Sequence, residues 1–255
     1  MQDNAGSGAM PSGGGAAVGG GTQGTGGNIV GVGGSAVATG GSGPVGGSGS
    51  GGSSGSGEGC ALQPDGTGWV AADTNSCAVQ GAWYYYDDCS TSPTDCTAHT
   101  APAPDAEGFP NTGGAMCTTG VIAPVNDSTE YSTKWGAGIA LNLNQPVDSE
   151  DKNPIGTLPV ALRGFSFTLS GNQVPSEIRV TFPTAATSET AHFKTIATGA
   201  GSYQVLFSDA AQGSWVVDAV ALDSTQVNAI QFQVPSKLSV EVPFDFCVEQ
   251  LAALL

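Results

Sequence analysis

Positive charge is scarce in this 255-residue sequence: six Lys and Arg stand against 22 Asp and Glu, for a net charge of −16. A nucleic-acid backbone and an anionic membrane surface are therefore disfavoured as partners. Long apolar runs are missing as well. None approaches the roughly 18 residues that cross a bilayer, and no charged stretch leading into an apolar one opens the chain as a secretory signal would. Histidine occurs only at His99 and His192, and there is no C-x-x-C pair or His/Cys cluster, which argues against a zinc site. No G-x-S-x-G elbow supports a triad built from His192, Asp209 and a serine. The paired carboxylates of a glycosidase leave no mark in strand spacing. No helical period lasts beyond a couple of turns, so helical fold classes are disfavoured.

What is abundant is glycine, and it is concentrated. Of 40 glycines, 25 precede Cys60, where the only charged side chains are Asp3 and Glu58. Such a segment buries too little apolar surface to offset chain entropy. Residues 1–59 are expected to be a disordered Gly/Ser-rich tether, holding the folded part roughly 40 to 45 Å from whatever lies upstream. Residues 60–255 are expected to form one β domain, with an irregular Cys-containing part over 60–113. That domain holds 20 acidic against 6 basic residues.

Six cysteines beside so few lysines favour an oxidising compartment and three disulfides. Cys89 and Cys96 bracket a turn-rich loop that closes easily. Cys117 lies in an early strand and Cys247 in the last, and first and last strands are commonly neighbours in sandwiches, so these two are paired. Cys60 and Cys77 remain for each other. Export is inferred indirectly: either a signal or lipoprotein anchor stood upstream of Met1 or the chain was trimmed. Gly57-Glu58-Gly59-Cys60 lacks the apolar lead-in of a lipidation site. The expected location is secreted or tethered to the outer cell surface.

Strands announce themselves by alternation. Phe165, Phe167 and Leu169 oppose Ser166 and Thr168. Ile178, Val180 and Phe182 oppose Arg179 and Thr181. Ile230, Phe232 and Val234 oppose Gln231 and Gln233, and Val242, Phe244, Phe246 and Val248 oppose Asp245 and Cys247. A single sheet built from these four would gather Arg179, Gln231, Gln233 and Asp245 on one polar face. Further strands are expected at 77–86, 115–119, 135–144, 191–196 and 203–207, with 89–113 as loop and Trp215 opening another extended segment. Short strands separated by Gly, Pro, Asn and Ser turns point to an all-β sandwich or jelly roll.

The order Gly164-Phe165-Ser166-Phe167, Ile178-Arg179-Val180-Thr181-Phe182, Val205-Leu206-Phe207-Ser208-Asp209 with Trp215, Val227-Asn228-Ala229-Ile230-Gln231-Phe232 and Phe244-Asp245-Phe246-Cys247-Val248 resembles the galactose-binding-domain-like jelly rolls. It is most similar to carbohydrate-binding modules of the family 11 type, over roughly residues 114 to 250. Asp245 stands one step before that family's usual acidic position. The resemblance implies a jelly-roll β-sandwich that binds sugar on a sheet face without cleaving it. Others of that fold are structural or bind protein.

On this reading the chain is a non-catalytic carbohydrate-binding module of a secreted or surface-tethered bacterial protein. It is expected to be a monomer whose partner is a polysaccharide or cell-surface glycan, the alternative being a structural or adhesive protein. Arg179, His192, Gln231, Gln233 and Asp245 are the candidate hydrogen-bonding residues, and Trp135 and Trp215 the candidate stacking residues. Trp83, Tyr84 and Tyr85 could stack as well, but alternation separates Trp83 and Tyr85 from Tyr84 and Tyr86, so at most one of those pairs is expected to be exposed. One Arg among amides and a carboxylate suits a neutral polysaccharide. No cofactor is indicated beyond a structural calcium, for which Asp148, Glu150, Asp151 and Asn153 offer hard oxygen ligands. Lys152 breaks the EF-hand spacing there, and Asp87 and Asp88 are a second candidate pair.

Overall fold

The computed structural model describes residues 59–90, 98–100, 111, 112, 114–146, 156–187 and 190–255. Among these described residues thirteen strands run in order: β1 (Gly59–Ala61), β2 (Trp69–Val70), β3 (Gly81–Asp87), β4 (Ala98–Thr100), β5 (Asn111–Thr112), β6 (Ala115–Ile122), β7 (Gly136–Asn142), β8 (Gly164–Gln173), β9 (Glu177–Phe182), β10 (His192–Ala197), β11 (Gly201–Leu206), β12 (Ala229–Pro235) and β13 (Val242–Leu254). Short 3-10 turns are the only helical elements among the described residues.

The strands make two sheets. The first has the order β11-β8-β13-β6-β4, with β1 on β13 and β5 on β6; the second has the order β10-β9-β12-β7-β3-β2. From β6 onward the chain changes sheet at nearly every connection, so that β6, β8, β11 and β13 face β7, β9, β10 and β12. This is the jelly-roll arrangement of two antiparallel sheets. The apolar residues of each alternation meet between them. Phe165, Phe167, Leu169, Phe244 and Phe246 of the first sheet and Ile178, Val180, Phe182, Ile139 and Phe232 of the second are almost wholly buried. Phe232 makes an edge contact with Phe167 at 4.9 Å across the sheets and stacks with Trp83 at 6.2 Å within its own.

Three expectations change. The four alternating strands do not share a sheet: β8 and β13 belong to the first, β9 and β12 to the second. Alternation reports which side of a strand is apolar, and it is silent about which sheet the strand joins. The 89–113 segment, expected to be loop, contains the short strands β4 and β5, both paired to β6. The residues around Trp215 are turns and loop rather than extended chain.

Cys117 and Cys247 are directly opposite each other in the β6–β13 ladder and form a disulfide, with Cα atoms 3.9 Å apart. Cys60 and Cys77 form a second. In the expected Cys89–Cys96 pair, Cys96 lies outside the described residues, as do residues 1–58 of the expected tether.

The Cys117–Cys247 bond closes a loop with a sequence separation of 130. On the chain-entropy model its removal as a Cys117→Ala/Cys247→Ala pair lowers unfolding free energy by about 5 kcal/mol. Urea denaturation of the two proteins measures this, and an unchanged midpoint contradicts it.

Candidate functional site

The outer face of the second sheet is assembled by register. Pairing of β10 with β9, β9 with β12, β12 with β7 and β7 with β3 lines up two rows across five strands. One row reads Thr195, Arg179, Gln233, Gly138, Tyr86. The other reads Phe193, Thr181, Gln231, Ala140, Tyr84. The middle strand β7 contributes the two smallest side chains, so the floor is lowest between the glutamines and the tyrosines. At Gly138 the backbones come so close that a Cβ would lie 2.1 Å from the Phe232 carbonyl oxygen.

Aromatic rings bound both ends of these rows. Trp135 stacks on Tyr86 at 5.8 Å. Trp215, half-exposed, stacks on Phe193 at 5.8 Å. Trp135 is held by the segment before it, where Glu130 accepts hydrogen bonds from Asn126 N and Lys134 Nζ, both at 3.0 Å. The Asn126 bonds, then Lys134, hold the Glu130 carboxyl down at about 2. This anchor is therefore complete above the ordinary carboxylate range and is lost only as pH falls toward that value.

Between the rings the groups are polar. Gln231 Nε2 donates to Tyr84 Oη at 3.3 Å, and Gln233 Nε2 donates to the Trp135 carbonyl at 3.0 Å. The Arg179 guanidinium lies 5.1 Å from the Phe193 ring centre and 5.8 Å from that of Trp215. It makes no ion pair or protein hydrogen bond among the described residues, and its Nε is buried without a partner. Burial lowers its pKa, opposed by the nearby Glu177 and Tyr131. Thr181 Oγ1 and Tyr86 Oη on the same face are also buried and unpartnered. Three orphaned polar atoms on one sheet face are unusual, because each costs about 1 to 3 kcal/mol when left unsatisfied.

Five of the seven candidate residues meet here: Arg179, Gln231, Gln233, Trp135 and Trp215. Asp245 does not. It lies on the outer face of the other sheet, where its carboxylate accepts from Asn172 Nδ2 at 2.7 Å. His192 is also displaced. It is 1% exposed, on the inner side of β10, with Nε2 2.8 Å from the Val220 carbonyl. It lines a cavity of about 490 Å³ with Phe207, Ser208 and Leu222. Asp209 accepts from the Leu206 amide at 3.4 Å, and no hydrogen bond joins it to His192, so the two do not form part of a triad.

Asp148, Glu150, Asp151 and Asn153 lie outside the described residues. Asp88 is fully buried and accepts from the Gly136 amide at 3.0 Å, while Asp87 accepts from the Cys89 amide at 3.0 Å. Among the described residues no group of three or more His, Cys, Asp or Glu is placed to hold a metal ion.

Tyr84, one of the aromatic run weighed for stacking, also contributes, and three contributors were not among the candidates: Thr181, Phe193 and Tyr86. The alternation in Trp83-Tyr84-Tyr85-Tyr86 puts Tyr84 and Tyr86 opposite Trp83, which is buried and stacked on Phe232; Tyr85, on the Trp83 side, is nonetheless 48% exposed. Phe193 carries no such signal, because its strand lies at the sheet edge with both sides partly open.

No protein-family model matches the sequence, and no curated protein does. Solved structures show a distant likeness. A family 11 carbohydrate-binding module of the cellulosomal cellulase Lic26A-Cel5E of Clostridium thermocellum is 12% identical at a TM-score of 0.32, over 68% of this chain and 86% of that one. A mutant of the family 29 module CBM29-2 is 11% identical at 0.29, over 67% and 85%. PfGH50B is 10% identical at 0.34, over 68% of this chain and 22% of that one, so the chain spans about a fifth of its length. These likenesses assign no ligand, residue role or activity to this chain.

Burial raises the phenol pKa of Tyr84, with the Gln231 bond acting the other way, and raises that of Tyr86 well above the ordinary value. The folded state therefore holds protons that an unfolded chain releases near pH ~10. This stabilising contribution is complete below that pH and is lost as pH rises toward the folded values. Tyr86→Phe removes an orphaned hydroxyl, so at neutral pH its unfolding free energy is expected to rise by about 1 to 3 kcal/mol over the parent. Above pH ~10 its stability declines less steeply. A urea series against pH reads both; an equally steep decline contradicts the burial of the Tyr86 hydroxyl.

Proposed function

We propose that this outer face is the binding face of a non-catalytic carbohydrate-binding module, and that its ligand is a neutral polysaccharide. The observation that carries the reading is the Arg179 guanidinium, without an ion pair or protein hydrogen bond among the described residues, gathered with the Gln231 and Gln233 amides between the Trp135 and Trp215 rings. A sugar offers what that face lacks: hydroxyls that donate and accept, and C–H faces that lie on aromatic rings. Arg179 is the only cation on the two rows, too little for a chain with a charge on every sugar. The Cys60–Cys77 and Cys117–Cys247 disulfides hint at an extracellular location, which fits a secreted or surface-tethered protein.

The second reading, an adhesive or structural protein, draws on Val217 and Val220, which are 80% and 58% exposed beside Trp215. Apolar side chains in such a position suit contact with another protein.

Affinity electrophoresis through a panel of soluble polysaccharides separates the two. Retardation by at least one neutral glycan is expected. Arg179→Ala/Gln233→Ala lowers affinity by at least about tenfold, as loss of hydrogen bonds to a charged group predicts. Asp245→Ala, on the other sheet, leaves it unchanged. Equal loss in the Asp245 variant removes the face assignment, and release of reducing sugar by the parent removes the non-catalytic claim.

A further inference from the structure

Several specific contacts converge on the loop that carries Trp215, a tryptophan that is 52% exposed. After β11 the chain returns to the sheet edge at Ala211, which exchanges backbone hydrogen bonds with Phe193 at 3.0 and 3.1 Å. It then leaves the sheet and comes back at Val220. The base of the resulting loop is closed by two side chains. Val220 N donates to Gln212 Oε1 at 2.8 Å, and the Val220 carbonyl takes the His192 Nε2 contact at 2.8 Å. Because that partner is a carbonyl, Nε2 carries the proton. Gln212 is fixed in turn, its Nε2 donating to the Thr190 carbonyl at 2.8 Å and to Thr190 Oγ1 at 2.9 Å.

The tip is set with equal care. Val216 N donates to the Gly213 carbonyl at 2.9 Å, which turns the chain so that the Trp215 indole folds back over Gly213. A Cβ at Gly213 would lie 2.3, 2.3 and 2.4 Å from three carbons of the indole. The Phe193 ring also stacks on the indole, nearly parallel at 19°, with the Arg179 guanidinium alongside. Glycine beneath, a ring against it and a clamped loop base together leave the indole one orientation.

We infer that residues 212–220 are a preset arm that holds Trp215 as one wall of the binding face, and that His192, Gln212 and Gly213 are positioning residues acting through Trp215. The inference rests on the reading of the face proposed above. A wall fixed before binding spares the ligand the ordering cost of a mobile side chain. It also fixes the geometry a ligand must meet: a pyranose with a C–H face toward the indole and a hydroxyl edge toward Arg179.

The test uses the full chain with Gly213→Ala, His192→Leu, His192→Gln and Trp215→Ala, alone and combined. Acrylamide quenching of Trp215, isolated by subtracting the matching Trp215→Phe protein, reports the arm without any ligand. Gly213→Ala and His192→Leu are expected to raise it, and His192→Gln, whose amide replaces the Nε2 donor, to restore it. On the polysaccharide that retards the parent, the first two lower affinity about three- to tenfold, the range of one aromatic contact. Neither has any effect once Trp215 is Ala. Gly213 lies in a loop outside the core, so that variant folds even where His192→Leu does not. Unchanged quenching in Gly213→Ala overturns the inference, as does a loss of affinity that persists on the Trp215→Ala background. If no polysaccharide retards the parent, the reading of the face fails, and the quenching comparison still decides whether the arm is preset.

Discussion

Phe232 sits with its ring edge against Phe167 of the facing sheet and its face toward Trp83 of its own. Everything on the outer surface depends on that packing. With Phe232, Val180 and Ile139 buried in one layer, the residues between them have only one direction left. Gln231, Gln233, Arg179 and Thr181 point away from the core because their neighbours cannot. The ladders then decide which of them stand side by side. A register slip of one residue in β12 would bury both glutamines and expose Phe232, so core packing also enforces the arrangement of the candidate site.

That dependence explains what was legible in the sequence. The alternation in Ile178–Phe182 and Ile230–Val234 puts Arg179, Gln231 and Gln233 opposite the core, and their strands are indeed neighbours. The same alternation at Asp245 is equally clear, yet Asp245 ends on the far side of the sandwich with Asn172. Parity is a property of one strand, whereas sheet membership follows from connections that cross between layers. The Cys117–Cys247 pair was readable because it needs only the first and last strands of a sandwich to meet. Trp215 was identifiable as a candidate aromatic; the loop that presents it was not, since it depends on His192 and Gln212 reaching Val220 from elsewhere in the chain. His192 was misjudged for the same reason. A polar residue in an edge strand reads as outward until its buried partner is known.

Electrostatics gives the face its character. In a chain of net charge −16, Arg179 keeps its guanidinium beside two rings and without a carboxylate partner among the described residues. Lys134 and Lys237, by contrast, pair with Glu130 and Glu177 at 3.0 and 3.7 Å. A cation–π setting retains donors that an ion pair would have consumed. The face thus combines open donors, amide groups and aromatic walls while carrying little net charge, a combination matched to hydroxyl-rich ligands.

The most direct measurement is amide and indole chemical-shift mapping of the full chain during titration with an oligosaccharide of whichever polysaccharide retards it. Binding on the second sheet predicts perturbations gathered at Arg179, Thr181, Gln231 and Gln233 and at the indoles of Trp135 and Trp215. Ser170, Asp245 and Glu249, on the outer face of the first sheet, are predicted to stay still. Perturbations centred on Asp245 and its neighbours would contradict the account.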